Sequence, residues 1–348
     1  MSVAEGARER LGSIVPVWFP PEMPQQRMLA FLRGTLVDVE LFVAPERLVL
    51  VVDGCPEAEK PTHQVARELA ERAGGPAQVL VREVNGGKGE AVCTGLERLL
   101  EDRAVEVISI RDADGDHDVY DLPQLFRLFE RVRRHLAEEG HSRPDDLFVM
   151  GCRPSLTRSL GLARGELEPV LNRLTFDAVS LRLSARGEAV DQRFTARYGP
   201  APDFQSGYKL YSRSAARAVI EALRGAHDAR PELEVMRWGV EFVPTVELLL
   251  RGFVPAALQR LTWNGQPQTT FDDSDLPHAY ARQIAWLFER LELPAGIGMR
   301  LLDNALGACE YVTAPRGPEH LAAIRQQVIE RCYADWQASP PGRGELFL

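Results

Sequence analysis

The chain has 348 residues, of which 45% are hydrophobic and 26% charged, enough for one large domain or two smaller ones. Its formal net charge of -9, with no basic run interleaved with aromatics, excludes nucleic acid as an expected partner. The five cysteines are widely spaced without a CxxC, which argues against a disulfide framework or zinc site. A charged N-terminus, and the lack of an apolar run near the roughly 18 residues of a membrane span, predict a cytoplasmic protein.

Short apolar, β-branched runs bounded by Gly, Pro or Asp recur in the first half of the chain. They predict strands at 13–19, 47–52, 78–84, 105–111 and 147–150, with helix-like stretches between most of them. This alternation predicts an α/β fold, with a mainly parallel sheet and helices on both of its faces. Apolar residues at helical spacing over 122–136 predict a helix that packs on that sheet.

The second half is less regular. Helices are predicted at 165–179 and 212–224, whereas 235–250 is an apolar segment interrupted by Pro244. Further helices are predicted at 278–291, 297–306 and 319–337. We therefore expect a domain over 1–260, with a nucleotide-binding half at about 13–118 and an acceptor half at about 145–260. Residues 261–348 are expected to form a helical C-terminal appendage.

Three alternating carboxylates, Asp112, Asp114 and Asp116, directly follow the fourth predicted strand. Ligands of open α/β sheets bind outside the carboxyl ends of strands. Carboxylates this close repel, and hard oxygen ligands favour Mg²⁺, Mn²⁺ or Ca²⁺ as the neutralising cation. The spacing therefore predicts a divalent-cation site, with a solvated acidic turn as the alternative.

An EF-hand calcium loop begins with similar carboxylate spacing. Here, however, His117 stands where that loop needs Gly, and Pro123 stands where it needs Glu. The calcium-loop interpretation therefore fails at two positions. His117 is expected either near the metal ligands or as a solvent-exposed turn histidine.

Three further segments accompany the acidic cluster: residues 14–17 read IVPV, 51–54 read VVDG and 85–91 read NGGKGEA. With the acidic cluster at the DxD position, they resemble motifs of the GT-A-fold glycosyltransferases of family 2, especially the polyprenyl-phosphate (dolichyl-phosphate) mannosyl- and glucosyltransferase branch. The resemblance covers roughly residues 13–250. By itself, the glycine-rich turn could equally be structural, and it is not a Walker A loop.

The resemblance implies a donor site for a UDP- or GDP-sugar and a bound Mg²⁺ or Mn²⁺. Asp53 would bind the nucleoside, the glycine loop would close over the base and phosphates, and the metal would grip the diphosphate. Asp116 lies where some relatives supply another metal ligand. The implied donor-binding residues are Pro16, Asp53, Lys88, Gly89, Asp112, Ala113 and Asp114.

Two later segments, GCR at 151–153 and QSGYKLYSR at 205–213, resemble the acceptor region of the same family. The resemblance implies Arg153, Arg173 and Lys209 near an acceptor phosphate, with surface salt bridges as the alternative. The acceptor stays open between a lipid phosphate, with the enzyme peripheral at a membrane, and a small soluble molecule. A homodimer is also left open.

Family membership implies inversion at the anomeric carbon by direct displacement. A hydroxyl acceptor needs a carboxylate base, for which Asp203, Glu241 and Glu247 are the candidates, whereas a phosphate acceptor needs none. Trp263 and Asn264 are expected either to contact a sugar or to cap the core.

Two other functions compete with glycosyl transfer. A sugar-nucleotide pyrophosphorylase uses an N-terminal glycine-rich segment, but residues 13–30 contain no glycine. A non-catalytic cation-binding module is the second alternative.

Overall fold

A seven-stranded sheet lies at the centre of the computed structural model, which describes residues 3–195, 199, 201–261 and 275–335. Its strands are β1 (Leu11–Val17), β2 (Leu48–Asp53), β3 (Gln78–Arg82), β4 (Val107–Ile110), β5 (Leu147–Cys152), β6 (Lys209–Ser212) and β7 (Val254–Gln259).

The strand order is β3-β2-β1-β4-β6-β5-β7, and β6 alone is antiparallel to its neighbours among the described strands. The predicted mainly parallel sheet is confirmed. The carboxyl ends of the other strands therefore meet at one edge, and β6 begins there, since Lys209 pairs with both Ile110 and Met150.

The described part of the chain contains the α-helices α1 (Val3–Arg10), α2 (Gln25–Leu36), α3 (Pro56–Ala73), α4 (Lys88–Glu101), α5 (Leu122–Glu138), α6 (Leu156–Ser184), α7 (Arg213–Ala229), α8 (Val235–Trp238), α9 (Val243–Leu250), α10 (Leu276–Arg290), α11 (Ala295–Gly307) and α12 (Gly317–Cys332).

Both faces of the sheet are covered, as predicted. Strand β2 is buried along its whole length, although successive side chains point to opposite faces. Leu50 belongs to one core cluster with Phe126 of α5, whereas α4 approaches Ile14 so closely that a Cβ on Gly95 would lie 2.6 Å from it. The apolar stripe predicted over 122–136 is the buried face of α5.

Two details differ from the sequence-based expectation. Pro244 does not interrupt a helix, because it lies in the first turn of α9, where proline costs no hydrogen bond. Strands β6 and β7 and helix α1 carry no clear sequence signal, since they are short or lack a β-branched run. Trp263 and Asn264 lie outside the described residues.

The chain divides into two compact units. The first consists of Met1–Cys152, Asp191–Thr195 and Ser206–Pro267 and contains the whole sheet. The second consists of Arg153–Val190, Ala196–Gln205 and Gln268–Leu348, so helix α6 groups with the C-terminal helices α10 to α12. Helix α6 itself bends at Gly161, which has a φ of 78°.

Candidate active site

The glycine-rich loop after β3 is fixed by Asp53, the last residue of β2. The Asp53 carboxylate accepts the backbone N–H of Gly86 at 3.1 Å and of Gly87 at 2.8 Å, and Nε of Arg82 at 2.9 Å. Gly87 has a φ of 91°, and a Cβ there would lie 2.7 Å from the carbonyl oxygen of Met236. Glycine is therefore required at this position, and Asp53 sets the shape of the loop.

Lys88, which begins α4 immediately after this loop, bridges two carboxylates. Its Nζ lies 2.7 Å from Oδ1 of Asp112 and 2.6 Å from Oε1 of Glu241. Burial alone would lower the pKa of Lys88, but the two negative charges outweigh it and raise that pKa well above its usual value. Lys88 is therefore an ammonium that links the loop after β4 to the segment between α8 and α9.

The buried carboxyl groups of the acidic loop after β4 repel one another. Burial raises the pKa of Asp114 to about 6, and the charges of Asp112 and Asp116 add to this effect. Burial also opposes ionisation of Asp112, but Lys88 overcomes it and holds the pKa of Asp112 well below its usual range. Lys88 pairs directly with Asp112, whereas its charge offsets only part of the effects that raise the pKa of Asp114.

His117 is buried, so the alternative of a solvent-exposed turn histidine is wrong. Its Nδ1 accepts the backbone N–H of Asp112 at 2.9 Å, which places the ring proton on Nε2. Nε2 lies 3.7 Å from Asp112 Oδ2 and 3.6 Å from Asp116 Oδ2, and the ring stacks on Tyr208. Burial lowers the pKa of His117 well below its usual value, which favours a neutral imidazole beside these two carboxylates.

Two buried arginines, Arg111 and Arg260, donate hydrogen bonds to the acidic loop, and the sequence analysis missed both. Arg111 donates from Nε and Nη2 to the carbonyl oxygen of His117, at 3.1 and 2.8 Å. Arg260, directly after β7, donates from Nη1 to the carbonyl and a carboxylate oxygen of Asp116, at 3.1 and 3.3 Å. The only sequence signal is an arginine at the end of an apolar run, where a surface charge is also common.

Lys209 and Glu247 are also in the first unit. Lys209 is buried, and its Nζ donates to the backbone carbonyls of Ser206 and, at 3.3 Å, of Glu241. Glu247 is buried on α9. Lys209 therefore supports the Glu241 backbone, and Glu241 is the candidate base whose side chain meets the cluster.

Arg153, predicted near an acceptor phosphate, and Asp203, predicted as a candidate base, belong to the second unit and bind each other. Arg153 donates to both Asp203 oxygens, at 2.8 and 2.7 Å, and to Glu168 at 3.0 Å. These side chains are all buried, so their opposite charges compensate one another within the second unit. Arg173, more than half exposed, pairs with Asp177 on the surface of α6.

The donor chemistry of the acidic loop suits a hard divalent cation, because its side chains offer carboxylate oxygens beside a strand end. The described residues nevertheless contain no group of three or more His, Cys, Asp or Glu side chains already arranged around a metal position. One reason is visible in the contacts: Asp112 binds Lys88 and Asp116 binds Arg260. A cation on Asp112 would therefore share this carboxylate with Lys88, which contacts its Oδ1.

No known protein family matches the sequence, and no curated protein matches it. Among solved structures, the chain is similar to one titled as a mycobacterial protein, at 15% identity and a TM-score of 0.41, over 84% of this chain and 80% of that one. It is also similar to residues 1–349 of TarS from S. aureus, at 14% identity and a TM-score of 0.41, over 92% and 88% of the two chains.

The structure also bears on membrane association. Across 3–195, 201–261 and 275–335, no helix combines the length and the apolarity needed to cross a membrane.

Proposed function

We propose that the protein is an inverting, metal-dependent glycosyltransferase that moves a hexose from a UDP- or GDP-sugar to an acceptor. One observation carries the proposal: Lys88 Nζ joins Asp112 and Glu241, so three distant segments meet at the carboxyl edge of the sheet. Ligands of open α/β sheets bind at that edge. The motif resemblance supplies the donor class.

The proposed metal ligands are Asp112 and Asp114, which would hold Mg²⁺ or Mn²⁺ beside the donor diphosphate. When bound, the metal neutralises charge on the departing nucleoside diphosphate. Asp116 was also predicted as a ligand. Because Arg260 already binds it, we propose that its carboxylate acts chiefly by orienting the loop.

The proposed donor pocket lies at the carboxyl ends of β2 and β3, which are on the opposite side of β1 from β4. Asp53 holds the glycine loop in shape, which leaves the loop backbone and Lys88 to approach the base and phosphates. The predicted donor side also includes Pro16 in β1, Gly89 in the first turn of α4 and Ala113 in the loop that follows β4.

For a hydroxyl acceptor, we propose Glu241 as the general base. The acceptor oxygen attacks the anomeric carbon, the bond to the diphosphate oxygen breaks, and the hydroxyl proton passes to Glu241. Asp203 is bound bidentately by Arg153, which disfavours it as a proton acceptor. A phosphate acceptor, including a lipid phosphate at a membrane surface, would not need this proton transfer.

Thermal unfolding with UDP, GDP, ADP and CDP, each with and without Mn²⁺, tests the proposal. A nucleotide at one hundred times its Kd should stabilise the fold by about 2.7 kcal/mol. We expect UDP or GDP to do so only with Mn²⁺, and Asp114→Asn to lose the effect. Stabilisation by Mn²⁺ alone, without any nucleotide effect, would instead favour the cation-binding module.

A further inference from the structure

Lysine is rare in this chain. Only Lys60, Lys88 and Lys209 occur among 41 basic residues, and two of the three lie at Glu241. An ammonium is a compact charge on a flexible four-carbon stem, whereas a guanidinium is a rigid fork suited to fixed pairs. The chain thus uses arginine to fix the acidic loop and lysine where two carboxylates converge.

Lys88 and Lys209 have different tasks. Lys209 is buried, and its ammonium donates to the backbone carbonyls of Ser206 and Glu241. Lys88 is 29% exposed at its side chain and contacts one oxygen each of Asp112 and Glu241. It follows the glycines of the loop at 86 and 87. Lys88 is therefore the lysine whose charge the two carboxylates share.

We propose that the Lys88 ammonium takes the place of the divalent cation on Asp112 in the ligand-free protein, and leaves it when metal and donor diphosphate bind. This inference rests on the proposed function and concerns the regulation of the same site. Its consequence is an order of events: Glu241 gives up its cationic partner only after the donor has bound.

The physical reason is competition for one carboxylate. A divalent cation bound to Asp112 would lie close to the Lys88 ammonium, and two positive charges at such a distance repel strongly. The arriving diphosphate offers the displaced ammonium new anionic oxygens. Glu241 then regains a free carboxylate, the state in which it can accept a proton. Without the donor, the same ammonium keeps two neighbouring carboxylates from repelling each other.

Mn²⁺ binding in the absence of nucleotide, measured by titration calorimetry, tests the inference. Lys88→Met removes the competing charge and should tighten Mn²⁺ binding by about tenfold. Lys88→Gln, which keeps hydrogen-bonding capacity but no charge, should do the same and covers the case in which Lys88→Met folds poorly. Lys60→Met, on the surface of α3, should keep the wild-type affinity.

The outcomes separate the inference from the proposed function. If Mn²⁺ binds the wild type, Asp114→Asn abolishes binding and both neutral Lys88 variants bind no more tightly, the inference is overturned and the metal site stands. If Mn²⁺ binds none of the variants, even with UDP or GDP present, both are overturned. Tighter Mn²⁺ binding in Lys88→Met and Lys88→Gln, with unchanged binding in Lys60→Met, supports the inference.

Discussion

Lys88 and Glu241 are 153 residues apart in sequence, yet Nζ of the first lies 2.6 Å from Oε1 of the second. The contact ties the start of α4 to the segment between α8 and α9. Asp112 completes the arrangement from the loop after β4. Because each residue comes from a different segment, substitutions can separate their roles in folding, metal binding and proton transfer.

Asp114→Asn should stabilise the metal-free protein at pH 8 by about 2 kcal/mol, because it removes a charge that burial and two neighbouring carboxylates disfavour. Asn keeps an oxygen that can accept the N–H of Asp116. Chemical denaturation of the two proteins measures the difference.

The raised pKa of Asp114 also predicts that the stability difference between the wild type and Asp114→Asn depends on pH. The pKa of Asp114 is about 6 in the folded protein and 3.8 in its ordinary state, so the folded state binds the proton more tightly. The wild type should therefore lose stability relative to the variant as the pH rises from 4 through 6. A variant that is less stable at both pH 4 and pH 8 would refute this reading of the loop.

Glu241→Gln should leave metal-dependent nucleotide binding in place but slow transfer to a hydroxyl by about 100-fold or more, because it removes the proposed base. The assay measures release of nucleoside diphosphate from a UDP- or GDP-sugar with water as acceptor. The donor is the one whose nucleoside diphosphate stabilises the protein in thermal unfolding. Glu247→Gln is the matched control, and we expect it to stay within a few-fold of wild type. Equal losses in both variants would remove the distinction between the two glutamates.

Gly87→Ala should destabilise the fold by about 1 to 3 kcal/mol and weaken nucleotide binding, because its φ is positive and its Cβ would meet Met236. Gly225 offers the control: it lies in α7 with no atom within 4 Å of an added Cβ. Gly225→Ala should stabilise by up to about 1 kcal/mol. Urea denaturation distinguishes the two, and a Gly87→Ala protein as stable as wild type contradicts the loop geometry.

Arg260→Met should cost about 3 kcal/mol or more, since it leaves Asp116 buried beside other carboxylates without its arginine. The exposed Arg173–Asp177 pair supplies the comparison, and Arg173→Met should change the free energy of unfolding by less than about 1 kcal/mol. Similar values for both variants would show that Arg260 does not support the loop.

The sequence predicts the sheet and the neighbourhood of the site for a clear physical reason. Parallel strands are buried on both faces, so their apolar runs stand out, and their carboxyl ends place Asp53 and Asp112 at the same edge. The role of Lys88 could be predicted because it lies within the glycine-rich motif at 85–91. These positions can be predicted because local sequence patterns identify the strands, and the parallel topology brings the strand ends together.

Partner choice was harder to predict, because residue type does not name its partner. Arg153 was expected near an acceptor phosphate, but it is held by Asp203 and Glu168. Arg260 lies after β7, whose alanines and proline give a weak strand signal, and its contact with Asp116 spans 144 residues. Such long-range ion pairs are decided by tertiary packing.

The most direct test of the central claim is a calorimetric titration of UDP and GDP into the wild type and Asp112→Asn, each with and without Mn²⁺. The account predicts that one of the two nucleotides binds the wild type only when Mn²⁺ is present, and that Asp112→Asn loses this binding while remaining folded. Binding of neither nucleotide, or binding that is unchanged in Asp112→Asn, would contradict it.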